Sequence, residues 1–340
     1  MKNAVVQAAA RCYLCSMSDL LLGLLVLLAA TNNDVKTPAP PAPMKTVLSA
    51  RTADANDPAE QEYRKLLAED DAASADVEKL IRENESFREK GAALSEALME
   101  AKIQQRFEKV RAAWQDFLQR HPRHVAGWIA YGSFLNDLGE EFAAREQWEK
   151  ALALDPKNPA IYNNLANSYG HRGPVQKAFE FYTRAIELEP AEPVYYHNFG
   201  TTVFLFRKDA QAFWKIDEPA VFDKALELYD RALRLDPENF LLAHDIAQTY
   251  YGIKPRRAAA ELAAWERALK LAGDDFQREG VRLHLARSHL NSGRFSAARQ
   301  QLGLVKDPRY NELRERVTRT LEKKEREAAG AEKTGPAETK

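Results

Sequence analysis

Prolines recur along this chain at a fixed interval. Pro122, Pro156 and Pro190 are 34 residues apart, and Pro237 comes 47 later, one such step lengthened by 13. A period of this length marks stacked supersecondary units, each unable to bury its own apolar face without a neighbour. It constrains the fold more than the length of 340 residues, which admits two ordinary domains or one long array.

Aligned on the prolines, the other residues fall into columns. With Val125 as position 1, the first block places Trp128, Tyr131, Gly132, Gly139, Ala144, Trp148 and Ala151 at positions 4, 7, 8, 15, 20, 24 and 27. The next block, from Pro159, fills those columns with Tyr162, Leu165, Ala166, Gly173, Ala178, Tyr182 and Ala185. A third starts with Pro193, Tyr196, Phe199 and Gly200, and resumes after an insertion with Ala225, Tyr229 and Ala232. A fourth reads Ile246, Ala247 and Tyr250, then Trp265 and Ala268; a fifth reads Leu285, Ala286, Gly293, Ala298 and Leu302.

Positions 8, 20 and 27 are small, so two helices approach closely there, while positions 4, 7, 11 and 24 are bulky and fill the space between hairpins. Each buried aromatic or leucine contributes ~1.5–3 kcal/mol. Glycine near position 15 suits a helix C-terminus. Pro159 and Pro193 suit a first helical turn, where a missing N–H costs nothing. The fourth block lacks the glycine and carries Glu261 where a small residue is expected.

These columns resemble the tetratricopeptide repeat family from Val125 to Val305. The resemblance implies an all-α, right-handed superhelical α-solenoid of stacked helix-turn-helix hairpins. It also implies a concave groove lined by the first helix of each hairpin, in which related domains hold an extended peptide. Around the array, residues 57–124 read as an N-terminal helical region with a degenerate repeat or cap, about four helices in all. Asp57-Pro58-Ala59-Glu60 has the pattern of a capping box, and Ile103, Phe107, Val110, Trp114 and Phe117 trace one helical face. The array spans 125–306, with the insertion near 207–219; a capping helix at 307–327 and a disordered tail at 328–340 follow.

The N-terminus reads as an address. Lys2 and Arg11 precede an apolar run from Leu20 to Ala30, long enough for a signal-peptide core and short of the ~20 residues that span a bilayer. Residues 1–31 are therefore a signal peptide or N-terminal anchor, and 32–56 a Pro-rich disordered linker. This predicts an exported (periplasmic or secreted) or membrane-tethered protein, with membrane contact only through an uncleaved apolar segment. A start at Met17 or beyond would remove the positive charges and leave a cytoplasmic product. Cys12 and Cys15 both lie in this leader, which excludes a disulfide framework in the folded part.

The expected groove positions are 2, 5, 6, 9 and 12 of each block. They give Asn163, Asn164 and Asn167, then His197, Asn198 and Thr201, then His244, Gln248 and Tyr251, with His284 and Arg287 in the fifth block. Amides both donate to and accept from a peptide backbone. The resemblance implies that Asn164 and Asn198, in the same column, are the asparagines used for backbone contacts. Family members that bind acidic chaperone tails carry basic residues where this chain has Leu241 and Asp245, so that specialisation is not expected. His197, His244 and His284 raise a metal site, but no cysteine or tight acidic cluster accompanies them, and no metal is predicted. Within the insertion, Phe213 and Trp214 are either an anchor for a partner or fold back onto neighbours.

A formal net charge of −1 gives no electrostatic case for nucleic acid. No nucleophile elbow, P-loop, dinucleotide fingerprint or H-E-x-x-H motif is present, so no catalytic residue and no cofactor are predicted. The expectation is a non-enzymatic scaffold binding a protein or peptide. The alternatives are a structural subunit of a cell-envelope assembly, or a substrate-recognition arm of an enzyme complex.

Overall fold

The computed structural model describes residues 57–88 and 91–333. Among these residues the regular structure is entirely helical. The apolar N-terminal run, the Cys12/Cys15 pair, the Pro-rich linker and the last seven residues lie outside the described part. No helix among the described residues is long and apolar enough to cross a membrane.

Two helices, α1 (Pro58–Arg88) and α2 (Glu96–Arg120), stand where about four were expected. Apart from Pro58 in the first turn of α1, where it is tolerated, neither contains a glycine or a proline, so nothing in either sequence ends a helix early. The first breaker is Gly91, which adopts a left-handed φ of +70° before Ser95 caps α2. The capping box at α1 is half made. Asp57 Oδ1 accepts from the Ala59 amide at 3.0 Å, but Glu60 turns to Arg64, also at 3.0 Å. Tyr63 of α1 packs on Trp114 and Phe117 of α2, with ring centroids 6.1 and 6.4 Å apart.

The array follows as helical hairpins in two compact units, divided between Ile216 and Asp217. In the first unit α3 (Val125–Asp137) packs on α4 (Glu141–Leu154), and α5 (Pro159–Arg172) on α6 (Val175–Leu188). Then come α7 (Pro193–Leu205) and a short α8 (Arg207–Trp214). The second unit begins with α9 (Glu218–Leu235), continues through α10 (Phe240–Thr249), a 3-10 turn at Tyr250–Gly252 and α11 (Ala258–Leu271), and reaches α12 (Asp275–Asn291) and α13 (Phe295–Gly303). After a second 3-10 turn, α14 (Asn311–Lys333) follows. The division falls at the insertion, so the two helices of the third repeat, α7 and α9, belong to different units.

The small columns are closed, as close helix approach requires: Ala144, Ala166, Ala178, Ala185, Ala225, Ala232, Ala247, Ala268, Ala286 and Ala298 are all fully buried. Gly132 shows why. A Cβ there would stand 2.5 Å from Nε1 of Trp148, whose N–H donates to the Ile129 carbonyl at 3.1 Å. Pro159 and Pro193 occupy first turns, capped by Asn158 and Glu192.

Two features depart from the column reading. Gly139 and Gly293 take left-handed φ values of +79° and +70°, but Gly173 is extended at −158°. Gly173 is needed for space instead, because a Cβ would meet the Tyr169 ring at 2.6 Å. At the C-terminus α14 runs on to Lys333 rather than ending near residue 327, since the added residues are mostly Ala, Glu and Lys, which favour helix.

Candidate binding surface

In the first unit the expected groove residues divide by burial. Asn163 and Asn164 on α5 and Asn198 on α7 are closed off, with exposures of 0, 1 and 3%. Their amides bond to one another: Asn198 Nδ2 donates to Asn163 Oδ1 at 3.0 Å, and Asn163 Nδ2 donates to Asn164 Oδ1 at 3.3 Å. They thus form a buried ladder joining consecutive first helices rather than an open row facing solvent. The ladder ends at Asn164 Nδ2, which is buried without a partner. The cause is the side-chain period: positions 5 and 6 lie at the seam between adjacent first helices, where an amide satisfies its neighbour.

Asn167, His197 and Thr201 are half-buried and form the more open part of this face. Asn167 Oδ1 accepts from the buried Tyr182 hydroxyl at 2.6 Å. Burial pushes the Tyr182 phenol upward, so it stays protonated and able to donate.

Phe213 and Trp214 sit at the end of α8. Trp214 stacks on Phe179 with centroids 4.9 Å apart, and Phe213 meets the same ring edge-on at 5.3 Å. Phe179 is fully buried, while Phe213 keeps 38% of its surface exposed. The pair both packs on α6 and shows one edge to solvent.

In the second unit the expected residues form a compact aromatic and polar cluster. His244 is 2% exposed, and Gln248 Nε2 donates to its Nδ1 at 2.9 Å. An accepting Nδ1 places the proton of the neutral imidazole on Nε2, which is buried with no partner. The His284 ring lies flat on Trp265 at 4.1 Å, with its Nδ1 2.9 Å from the Tyr251 hydroxyl. Burial, with His244 and Arg287 nearby, holds the His284 imidazole well below its ordinary pKa. The Arg287 guanidinium sits over the Tyr251 ring at 4.5 Å. His244 and His284 approach to 5.7 Å, but among the described residues no group of three His, Cys, Asp or Glu side chains is placed to hold a metal ion.

Column 10 also matters, and the sequence reading passed over it. Ser168, Thr202, Thr249 and Ser288 fill it in the second to fifth blocks, all buried. Arg145 of α4 reaches forward to Ser168, with Nε 2.9 Å from Oγ and Nη2 3.0 Å from the carbonyl. Arg256 does the same for Ser288, bonding its carbonyl at 3.2 Å while pairing with Glu261 at 2.7 Å. The signal was available as a run of small hydroxyl residues in one column.

Two family models match the chain, a TPR repeat over residues 132–173 and a tetratricopeptide repeat over residues 159–192. With the columns and hairpins above, this identifies tetratricopeptide repeats within residues 132–192, set among the stacked helical hairpins of the described residues. Among solved structures it is similar to PilW, described as a widely conserved type IV pilus biogenesis factor, at 16% identity and a TM-score of 0.48, covering 63% of this chain and 90% of that one. It is also similar to pilF of Pseudomonas aeruginosa, at 18% identity and a TM-score of 0.46, covering 72% and 96%. A third is YrrB, described as a TPR protein with an unusual peptide-binding site, at 14% identity and a TM-score of 0.44, covering 61% and 98%. None of the curated proteins compared matches the chain.

Proposed function

We propose that the protein is a non-enzymatic scaffold that binds a protein or peptide along the first helices of its hairpins. The observation that carries this reading is one column of half-buried polar side chains, position 9, filled by Asn167 and Thr201 in the first unit and by Gln248 and Arg287 in the second, with His197 and Tyr251 on the same helices beside it. Mixed donors and acceptors at helical spacing suit an extended backbone or a partner helix. The exported or tethered setting rests on the N-terminal apolar run alone, and a phosphatase fused after residue 340 tests it, because such a reporter is active only outside the cytoplasm.

Co-purification from the native source tests the binding reading. His197→Ala with Thr201→Ala, and separately Gln248→Ala, are expected to reduce recovery of one partner while leaving the melting temperature within a few degrees. Unchanged recovery from both variants would remove the first helices from partner binding. The buried Asn163–Asn164–Asn198 ladder favours a second reading for the first unit, a structural subunit held by other surfaces. That reading predicts a large complex insensitive to the same substitutions.

A further inference from the structure

We propose that the first unit holds the chain's own Pro-rich segment, residues 37–43 (TPAPPAP), in a groove formed by α2, α3 and α4. The groove measures about 450 Å³. Trp128 and Tyr131 of α3 line it, with Pro122 of the α2–α3 turn, Gln115 and Gln119 of α2, and Lys150 of α4. These are positions 4, 7 and 26 of the first block together with α2. The groove is therefore separate from the first-helix positions 5, 9 and 12 assigned above to a partner, and neither reading depends on the other.

Its chemistry suits a polyproline chain. Proline rings pack on aromatic side chains, and a segment whose φ angles are already fixed loses little freedom on docking. Trp128 is half-buried, and its N–H donates to the Pro122 carbonyl at 2.9 Å, which holds the indole in place at the groove wall. A polyproline chain has no internal hydrogen bonds, so its carbonyls need donors. The Tyr131 hydroxyl accepts from Gln115 Nε2 at 3.0 Å and keeps its own proton to donate, and the exposed Gln119 amide adds further donors. No lining residue is acidic and residues 37–43 carry no charge, so docking withdraws no carboxylate from water. The one cation, exposed Lys150, lies over the Trp128 ring at 4.7 Å, and a proline ring arriving there displaces only a weak solvent-facing contact.

The path of the chain favours its own segment over a free peptide. The first turns of α1 are fastened beside the groove: Glu62 accepts from Arg120 at 2.7 Å and Glu60 lies 3.7 Å from His124, the two residues that flank the turn containing Pro122. Fourteen residues, 44–57, separate Pro43 from Pro58 and reach roughly 45–50 Å when extended. A tether this short gives an effective concentration on the order of millimolar, so even a weak polyproline contact is occupied. Docked, the segment covers this groove and leaves the position 9 column open.

Photo-cross-linking of the full chain in mild detergent tests the proposal, with p-benzoylphenylalanine in place of Ala42. Cross-links within one chain, to the peptides that carry Gln119 or Trp128, are expected. Pro38→Ala, Pro40→Ala, Pro41→Ala and Pro43→Ala together lie outside the described helices and should lower their yield several-fold. Trp128→Leu should do the same, and Gln119→Ala, whose side chain lies outside the core, should lower it in part. Links spread evenly over other faces, no link to the groove, or a yield unchanged by the four alanines would overturn the docking. Links formed only between chains would overturn it as well, and would assign the groove to the same segment of a second copy.

Discussion

Glu261 occupies a column that holds alanine in the other repeats, and at 1% exposure it is the most buried acidic side chain in the structure's described core. Its charge is tolerated because Arg256 meets it at 2.7 Å and then continues to Ser288 and Ser292. Removing one partner strands the other. Arg256→Ala is expected to cost ~3 kcal/mol in urea unfolding, and Glu261→Ala less, because Arg256 retains solvent access. The double variant should recover much of the loss, since alanine is what that column otherwise carries; additive losses would refute the coupling. A contrast between glycines is equally sharp. Gly132→Ala should cost ~1–3 kcal/mol by pressing a methyl group on Trp148, whereas Gly303→Ala meets nothing within 4 Å and should be neutral or stabilising by a few tenths, roughly.

The helix α8 shows how far elements could be read from sequence. The 13-residue excess announced an insertion, and Phe213 and Trp214 marked its apolar end. That it forms a separate helix closed by a left-handed Lys215, at φ 56°, depends on tertiary contacts with Phe179 that no local pattern encodes. Trp214→Ala uncovers that ring and should cost roughly 2 kcal/mol, below the ~3–5 kcal/mol of a fully buried tryptophan. An unchanged denaturation midpoint would mean that the stack contributes nothing. The hairpins themselves were legible because their small and bulky columns report helix spacing directly. The candidate binding face was less so: position numbers placed Asn163, Asn164 and Asn198 on the first helices, but not their mutual hydrogen bonds at the seam. Likewise the N-terminal pair looked like more helices than it is, because a change of apolar face resembles a break when no glycine or proline marks one.

Across the described residues, desolvation holds the imidazoles of buried His284 and half-buried His124 below the ordinary value of 6.5, His284 furthest. Each takes up a proton in the unfolded chain at a pH where the folded protein refuses it, so stability must fall as pH drops below about 6.5. Asp70 acts in the opposite sense. Burial, with Asp137 nearby, pushes its carboxyl up to about 7, so it destabilises the folded state as pH rises from about 4 towards 7. Urea midpoints between pH 7.5 and 5 should therefore decline less in the natural protein than in Asp70→Asn, which lacks the opposing contribution. His284→Gln should flatten the decline, and an equal slope in all three proteins would exclude these groups as its source.

The forward-reaching arginines bear on how such arrays diversify. Arg145 and Arg256 each belong to one hairpin but terminate on a serine of the next, at the same position in both cases. A hairpin duplicated or shuffled within the chain must bring a donor for its successor and a hydroxyl for its predecessor, or leave a guanidinium without its carbonyl. Thr202 is served by Tyr182 instead, at 3.2 Å, so the second and fifth hairpins are not interchangeable with the third. The order of hairpins therefore bears on stability along with their number, and a transplanted hairpin has to carry its matching neighbour with it.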